Sequence, residues 1–212
     1  MTSAATLSVT GTGRATAAPD VMRASLTATS VRATLAEALA AAEAAAARIR
    51  AALASAAVAA GDATTAGLAV NAEQVWNETT GPRITGYRAD HEIALTLRDL
   101  GSAGRVLGLA LAAGGDDVRL GGVAFGIEDE GPLRVRAREL AWHDALARAS
   151  QLAELAGRPL GAVQQVAEQV VGMPGPVPMT TRMAMSAGAA DVAVQPGSVG
   201  VEISLGVQWA LG

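Results

Sequence analysis

"VTGTGRATAAPD", residues 9–20, is the stretch on which the fold turns. Gly11 and Gly13 flank a single residue and an arginine follows, which invites comparison with the glycine loops that cradle phosphate. A dinucleotide fingerprint needs a further small residue three positions after the second glycine. It also needs a helix opening there, so that N-terminal amides face the pyrophosphate. Here Thr16 holds that position, and Pro19-Asp20 leads into "VMRASLTATSV", a run rich in Thr, Val and Ser. Such residues favour strand over helix. The segment therefore reads as extended chain, with glycines where backbones crowd or bend. No cofactor is expected on it.

Working outward, Thr6 to Val31 reads as two strands around Ala18-Pro19-Asp20, a hairpin that opens the fold. Leu35, Leu39, Ala42, Ala46, Ile49 and Leu53 recur at spacings of three and four. They predict a helix ending near Gly61, with Thr34 and Glu37 as a capping box. Leu68–Asn77 and Ile84–Arg98 read as strands around a turn at Thr79–Pro82. In the second strand Tyr87, Ala89, His91, Ile93, Leu95 and Leu97 share the buried face. Asp99 caps a shorter helix through Val106, Leu107 and Leu111, which stops at Gly114-Gly115. Val118–Ile127 is a strand with a bulge at Gly121-Gly122. A third helix spans about Leu133 to Ala156, with Val135, Trp142, Ala145, Leu146, Ala149, Leu152 and Ala156 on its core face. Val163–Val171 and Val199–Leu211 close the chain as strands.

The order is β-β-α-β-β-α-β-α-β-β, an α+β fold with largely antiparallel sheets. A single domain is expected, with two lobes at about residues 1–98 and 99–212. Residues 172–198, which hold four prolines and Met173, Met179, Met183 and Met185, read as a flexible loop suited to reaching a neighbouring subunit.

Composition narrows the chemistry. A chain of 212 residues without cysteine has no disulfide, thiolate metal site or cysteine nucleophile. With 16 basic and 20 acidic residues, net charge −4 and 2% aromatic residues, it lacks the positive surface and stacking platforms that nucleic acids require. No uninterrupted apolar run approaches the ~20 residues of a membrane span. The opening "MTSAATLSVTGTG" has neither a basic n-region nor an apolar h-region. The expectation is a cytoplasmic protein, or a periplasmic or secreted one if the sequence is a mature form.

The remaining side chains carry weak signals. His91, on the apolar face of a strand, reads as a hydrogen-bonded histidine at the sheet rim. His143 lies off the apolar stripe of its helix, beside Asp144; a hydrolase built on this pair lacks a nucleophile, since no Gly-x-Ser-x-Gly elbow occurs. Glu128-Asp129-Glu130 reads as a solvated acidic turn before a helix rather than a metal site. The methionines of the proline-rich loop read as packing residues, with soft-metal or redox chemistry as the alternative. Arg134, Arg136 and Arg138 read as a solvated face paired with Glu128 and Glu139. No catalytic, cofactor or metal residues are assigned.

Together "VTGTGRATAAPD", "TLAEAL", "ITGYRADHEIALTLRDL", Gly121–Phe125, "ELAGRPLGAV" and Pro196-Gly197 resemble the SIMPL domain (DUF541) family in order and spacing across nearly the whole chain. The resemblance implies an α+β fold, no established enzymatic activity and an association with oxidative-stress defence in bacteria. It also implies exported members, and homo-oligomers that are ring-like or channel-like. The expected protein is a non-enzymatic scaffold whose partner is itself; the alternative is a small-ligand or metal-binding module with its cavity between the lobes.

Overall fold

A computed structural model describes residues 5–77, 81–170 and 197–212. Among them the elements run β1 (Thr6–Ala17), β2 (Val21–Arg32), α1 (Leu35–Ser55), β3 (Ala63–Asn77), β4 (Gly81–Leu97), α2 (Leu100–Gly114), β5 (Val118–Gly126), α3 (Gly131–Leu155), β6 (Leu160–Val170) and β7 (Val199–Leu211). The α+β class and the element order agree with the sequence. The proline- and methionine-rich loop, with its four methionines, lies almost wholly outside the described residues.

The described chain forms two compact units, each discontinuous in sequence: residues 5–19, 127–170 and 197–212 in one, and 20–77 and 81–126 in the other. They are drawn from different segments than a cut near residue 98 would give. The reason lies in strand pairing. β5 pairs with β2 rather than with later strands, and β1 pairs with β7.

That pairing corrects the opening hairpin. β1 and β2 belong to different sheets, and Ala18-Pro19-Asp20 is a passage between units rather than a tight turn. A strand–turn–strand pattern records local conformation only, whereas the partner of β1 lies at the far end of the chain, Thr6 opposite Ala210 and Ala17 opposite Val199.

The unit formed by β2–β5 carries a four-stranded antiparallel sheet in the order β3-β4-β2-β5, on which α1 and α2 pack. Its core is built from large side chains: Met22, Leu26, Ile49, Leu53, Ile93, Leu95 and Leu107 are all but fully buried. Thr34 and Glu37 form the expected capping box, Thr34 Oγ1 accepting from the Glu37 amide and the Glu37 carboxylate accepting from the Thr34 amide. Asp99 Oδ1 accepts from the Gly101 amide at 3.1 Å and so caps α2. The β4 alternation holds from Tyr87 to Leu97, and the bulge in β5 falls at Gly121, skipped where Ser25 and Leu26 face Gly122 and Leu120. One detail differs in α1: Leu35 is 49% exposed, and Ala38 and Ala45 are buried instead.

The second unit is a three-stranded antiparallel sheet, β1-β7-β6, with α3 on one face. From β7, Val201, Ile203, Leu205, Val207 and Trp209 point beneath the helix, and Trp209 meets Trp142 of α3 at a centroid distance of 6.3 Å. The helix face expected in the core is only partly the one observed: Ala145 and Ala149 are buried and Trp142 packs against the core, whereas Val135, Leu146 and Leu152 do not. α3 buries Ala137, Ala141, Ala145, Ala149 and Ala153, while Val135 is 51% and Leu155 78% exposed, and Leu146 and Leu152 also face solvent.

Candidate functional site

The cause of that shift toward alanine is the glycine stretch of β1. Along β1, Leu7, Val9, Gly11, Gly13 and Ala15 alternate toward α3. A Cβ on Gly11 would overlap the backbone of Ala141 and Ala145 and lie 2.6 Å from Ala145 Cβ; one on Gly13 would overlap the backbone of Ala137 and Ala141. The two glycines are thus a seat for a helix backbone, and only alanine is short enough to line the facing side. Neither glycine has a positive φ. The requirement here is space, not backbone freedom.

The same approach closes one edge of the sheet. β1 is terminal in the strand order, so its outward amides and carbonyls lack a strand partner. Asp144 Oδ2 accepts from the Thr12 amide at 2.8 Å, between the two glycines. Arg148 then donates to Asp144 Oδ1 at 3.0 Å and to the Thr10 carbonyl at 3.3 Å. The Thr12 amide, aided by Arg148, holds the Asp144 carboxyl below the usual carboxylate range. Asp144 is therefore committed to the sheet edge. Its neighbour His143 is exposed, and no hydrogen bond joins the two among those described.

The opposite edge is different. α3 packs over β1 and β7 and scarcely touches β6, whose residues 161–169 are all exposed. Val166 lies opposite Val207, and Glu168 opposite Leu205, on the helix side of the sheet. Between β6 and α3 opens a largely apolar cleft of about 480 Å³, floored by Leu205 and Val166 and walled by Val135 and Trp142. Its polar rim holds Glu139, His143 and a two-pronged ion pair. Arg138 Nε and Nη2 donate to Glu168 at 2.8 and 3.0 Å. Hydrogen bonding within the pair raises the Arg138 pKa and lowers that of Glu168.

The remaining candidates are accounted for locally. His91 is buried, with Nε2 3.0 Å from Thr65 Oγ1 and 3.3 Å from Arg50 Nη1. Its Nδ1 lies 3.6 Å from Glu43 Oε1, too long for a hydrogen bond, which leaves that nitrogen without a bonded partner. Asp129 accepts from the Gly131 amide, and Arg134 pairs with Glu130 and Arg136 with Glu139. Among the described residues no three His, Asp or Glu side chains converge as a metal site, and no helix is long and apolar enough to cross a membrane.

The sequence model of the family described as "Protein of unknown function (DUF541)", SIMPL, matches residues 7–209. The chain belongs to the SIMPL family. Two curated relatives, both named "26 kDa periplasmic immunogenic protein", come from Brucella melitensis biotype 1 and Brucella abortus. Each is 29% identical to this SIMPL protein over 200 residues, covering 91% of this chain and 78% of the relative. The matched span runs from β1 to β7, the strands that pair across the ends of the chain.

The cleft was missed by sequence reasoning, which placed a cavity between lobes. Its walls are the residues assigned to the core face of α3, Val135 and Trp142. The signal was present but read with the wrong partner, because the buried stripe of alanines carries too little hydrophobicity to outweigh Val, Trp and Leu.

Proposed function

We propose that this SIMPL protein is a non-enzymatic scaffold that assembles with copies of itself and serves in envelope or oxidative-stress protection. One observation carries the assembly. The two edges of a single three-stranded sheet are treated oppositely: Asp144 and Arg148 bond the middle of the β1 edge, at Thr12 and Thr10, while among the described residues β6 has no outer strand partner and lies beside an apolar cleft. Proteins seal strand edges against unwanted pairing, and an edge left open beside apolar surface invites a partner. The names of the relatives support a periplasmic setting, and the stress role follows from the family resemblance.

Light scattering over a hundredfold range of concentration tests the assembly. The expected result is a mass well above the 21.1 kDa monomer, and a concentration-independent monomer defeats it. The cleft itself favours a second reading, a small-ligand module. A thermal-shift screen of metals and apolar metabolites separates the two, since a specific ligand raises the melting temperature by mass action and a scaffold without one does not respond.

A further inference from the structure

The other unit carries a feature that its own sheet does not use. β2 pairs with β4 only from Tyr87 to Leu97, so beyond Tyr87 the strands β3 and β4 continue as a two-stranded ribbon, Glu73–Asn77 against Gly81–Gly86. Trp76 lies opposite Pro82, and Gln74 opposite Ile84, which puts Trp76, Pro82 and Ile84 on one face of the ribbon. Trp76 is 71% exposed, the most exposed of the aromatic side chains described, and Ile84 and Val75 are also more than half exposed. A two-stranded ribbon alone is marginally stable in water. An apolar face with tryptophan at its head gains little burial within its own unit.

Resting on the self-assembly proposed above, we infer that the Trp76 ribbon of one copy docks in the α3/β6 cleft of another. Two properties of the surfaces argue for a second copy as the occupant. First, they match in chemistry and size. A cleft of about 480 Å³ walled by Trp142, Val135 and Val166 accepts an indole and its apolar neighbours, and tryptophans seated in apolar pockets dominate interface energies. Second, both are bordered by strands that have no further partner among the described residues, since β3 and β6 are each terminal in their sheets. Setting the β3 edge along β6 adds a strand to the sheet and carries Trp76 under the rim of α3, so backbone hydrogen bonds contribute as well as side chains. An aromatic side chain buries only about 150–250 Å², so a stable interface of roughly 800 Å² per partner needs that strand pairing too. The contact is head-to-tail, since donor and acceptor surfaces differ, and it generates rings or filaments rather than twofold dimers.

The test uses two exposed substitutions on the full chain, Trp76→Ala at the ribbon and Val166→Glu in the cleft, with Val135→Glu as a second cleft variant should Val166→Glu lose its native circular dichroism. Each variant alone is expected to weaken the contact about 30-fold or more and to run as monomer at concentrations where the wild type assembles. Mixed one to one, the Trp76→Ala chain still offers an intact cleft and the cleft variant an intact ribbon. A single good contact remains, and the mixture is expected to form a dimer and nothing larger. Variants that keep the wild-type mass, or a mixture that stays monomeric, overturn the inference while leaving assembly standing. A wild type that is itself monomeric overturns assembly, and this contact with it.

Discussion

In the unit built from β2–β5, α1 sets Ile49 and Leu53 and α2 sets Val106 and Leu107 against Met22, Leu26, Ile93 and Leu95. In the unit built from β1, β6 and β7, α3 sets Ala137, Ala141, Ala145 and Ala149 over two glycines and the row of β7 side chains. The first contact is filled by side-chain volume; the second is closed by backbones drawn together until little volume is left. The difference has a consequence for shape. A helix seated on glycines is pulled toward the strand that carries them, so α3 rides over β1 and β7, clamps the β1 edge and leaves β6 bare. The open surface on one side of that sheet thus follows from the two glycines on the other.

The comparison predicts opposite responses to side-chain volume. Gly11→Ala with Gly13→Ala forces α3 off the sheet, because the added methyl groups meet backbone atoms that have no rotamer to move to; the expected loss is about 3 kcal/mol or more, beyond ordinary overpacking. In α1 the damage comes from removing volume, and Ile49→Ala is expected to cost about 2–5 kcal/mol through the cavity left behind. Gly61→Ala is the control, since nothing lies within 4 Å of a Cβ there, and it should be silent. Chemical denaturation of the three variants reads all of this, and a silent glycine pair would mean that α3 does not sit on β1 as described.

Next in size is the clamp. Asp144→Ala removes an acceptor held by a backbone amide and an arginine, and at a site with about a third of its side chain exposed the cost is about 1 kcal/mol. Because the folded-state pKa of Asp144 lies below its unfolded value, its stabilisation is complete above the unfolded pKa and fades as pH falls through the folded one. Wild type and variant should therefore converge in stability below about pH 4. Above it the variant should also associate more readily than wild type, since both sheet edges are then open. Denaturation midpoints and light scattering across pH 3–7 check both expectations, and a constant gap at every pH would sever the carboxylate from the effect.

How far the sequence carries follows from the same two contacts. The caps at Thr34 and Asp99, the alternation of β4 and the bulge at Gly121 were legible because each is local: an oxygen over an amide, a period of two, a glycine in a strand. The pairing of β1 with β7 was not, since residues 6–17 say nothing about what lies at 199–210. Gly11-x-Gly13 could be read as extended chain from its context, yet its partner, a stripe of alanines every four residues on α3, is silent on a hydrophobicity scale. Val135, Leu146 and Leu152 are louder, and they were assigned to the core beside Ala145 and Ala149, while Ala137, Ala141 and Ala153 were passed over.

The smallest effect is the most discriminating. At 78% exposure Leu155 has little area to lose, and Leu155→Ala is expected to change stability by no more than about 0.5 kcal/mol. Val135→Ala should be nearly as mild in the isolated subunit, since that side chain is half exposed in the cleft wall. The two part company in the assembly. Leu155 lies outside the α3/β6 cleft and Val135 lines it, so truncating Val135 should weaken association while truncating Leu155 should not. Equal effects on association would mean that α3 presents a diffuse apolar surface rather than a defined seat.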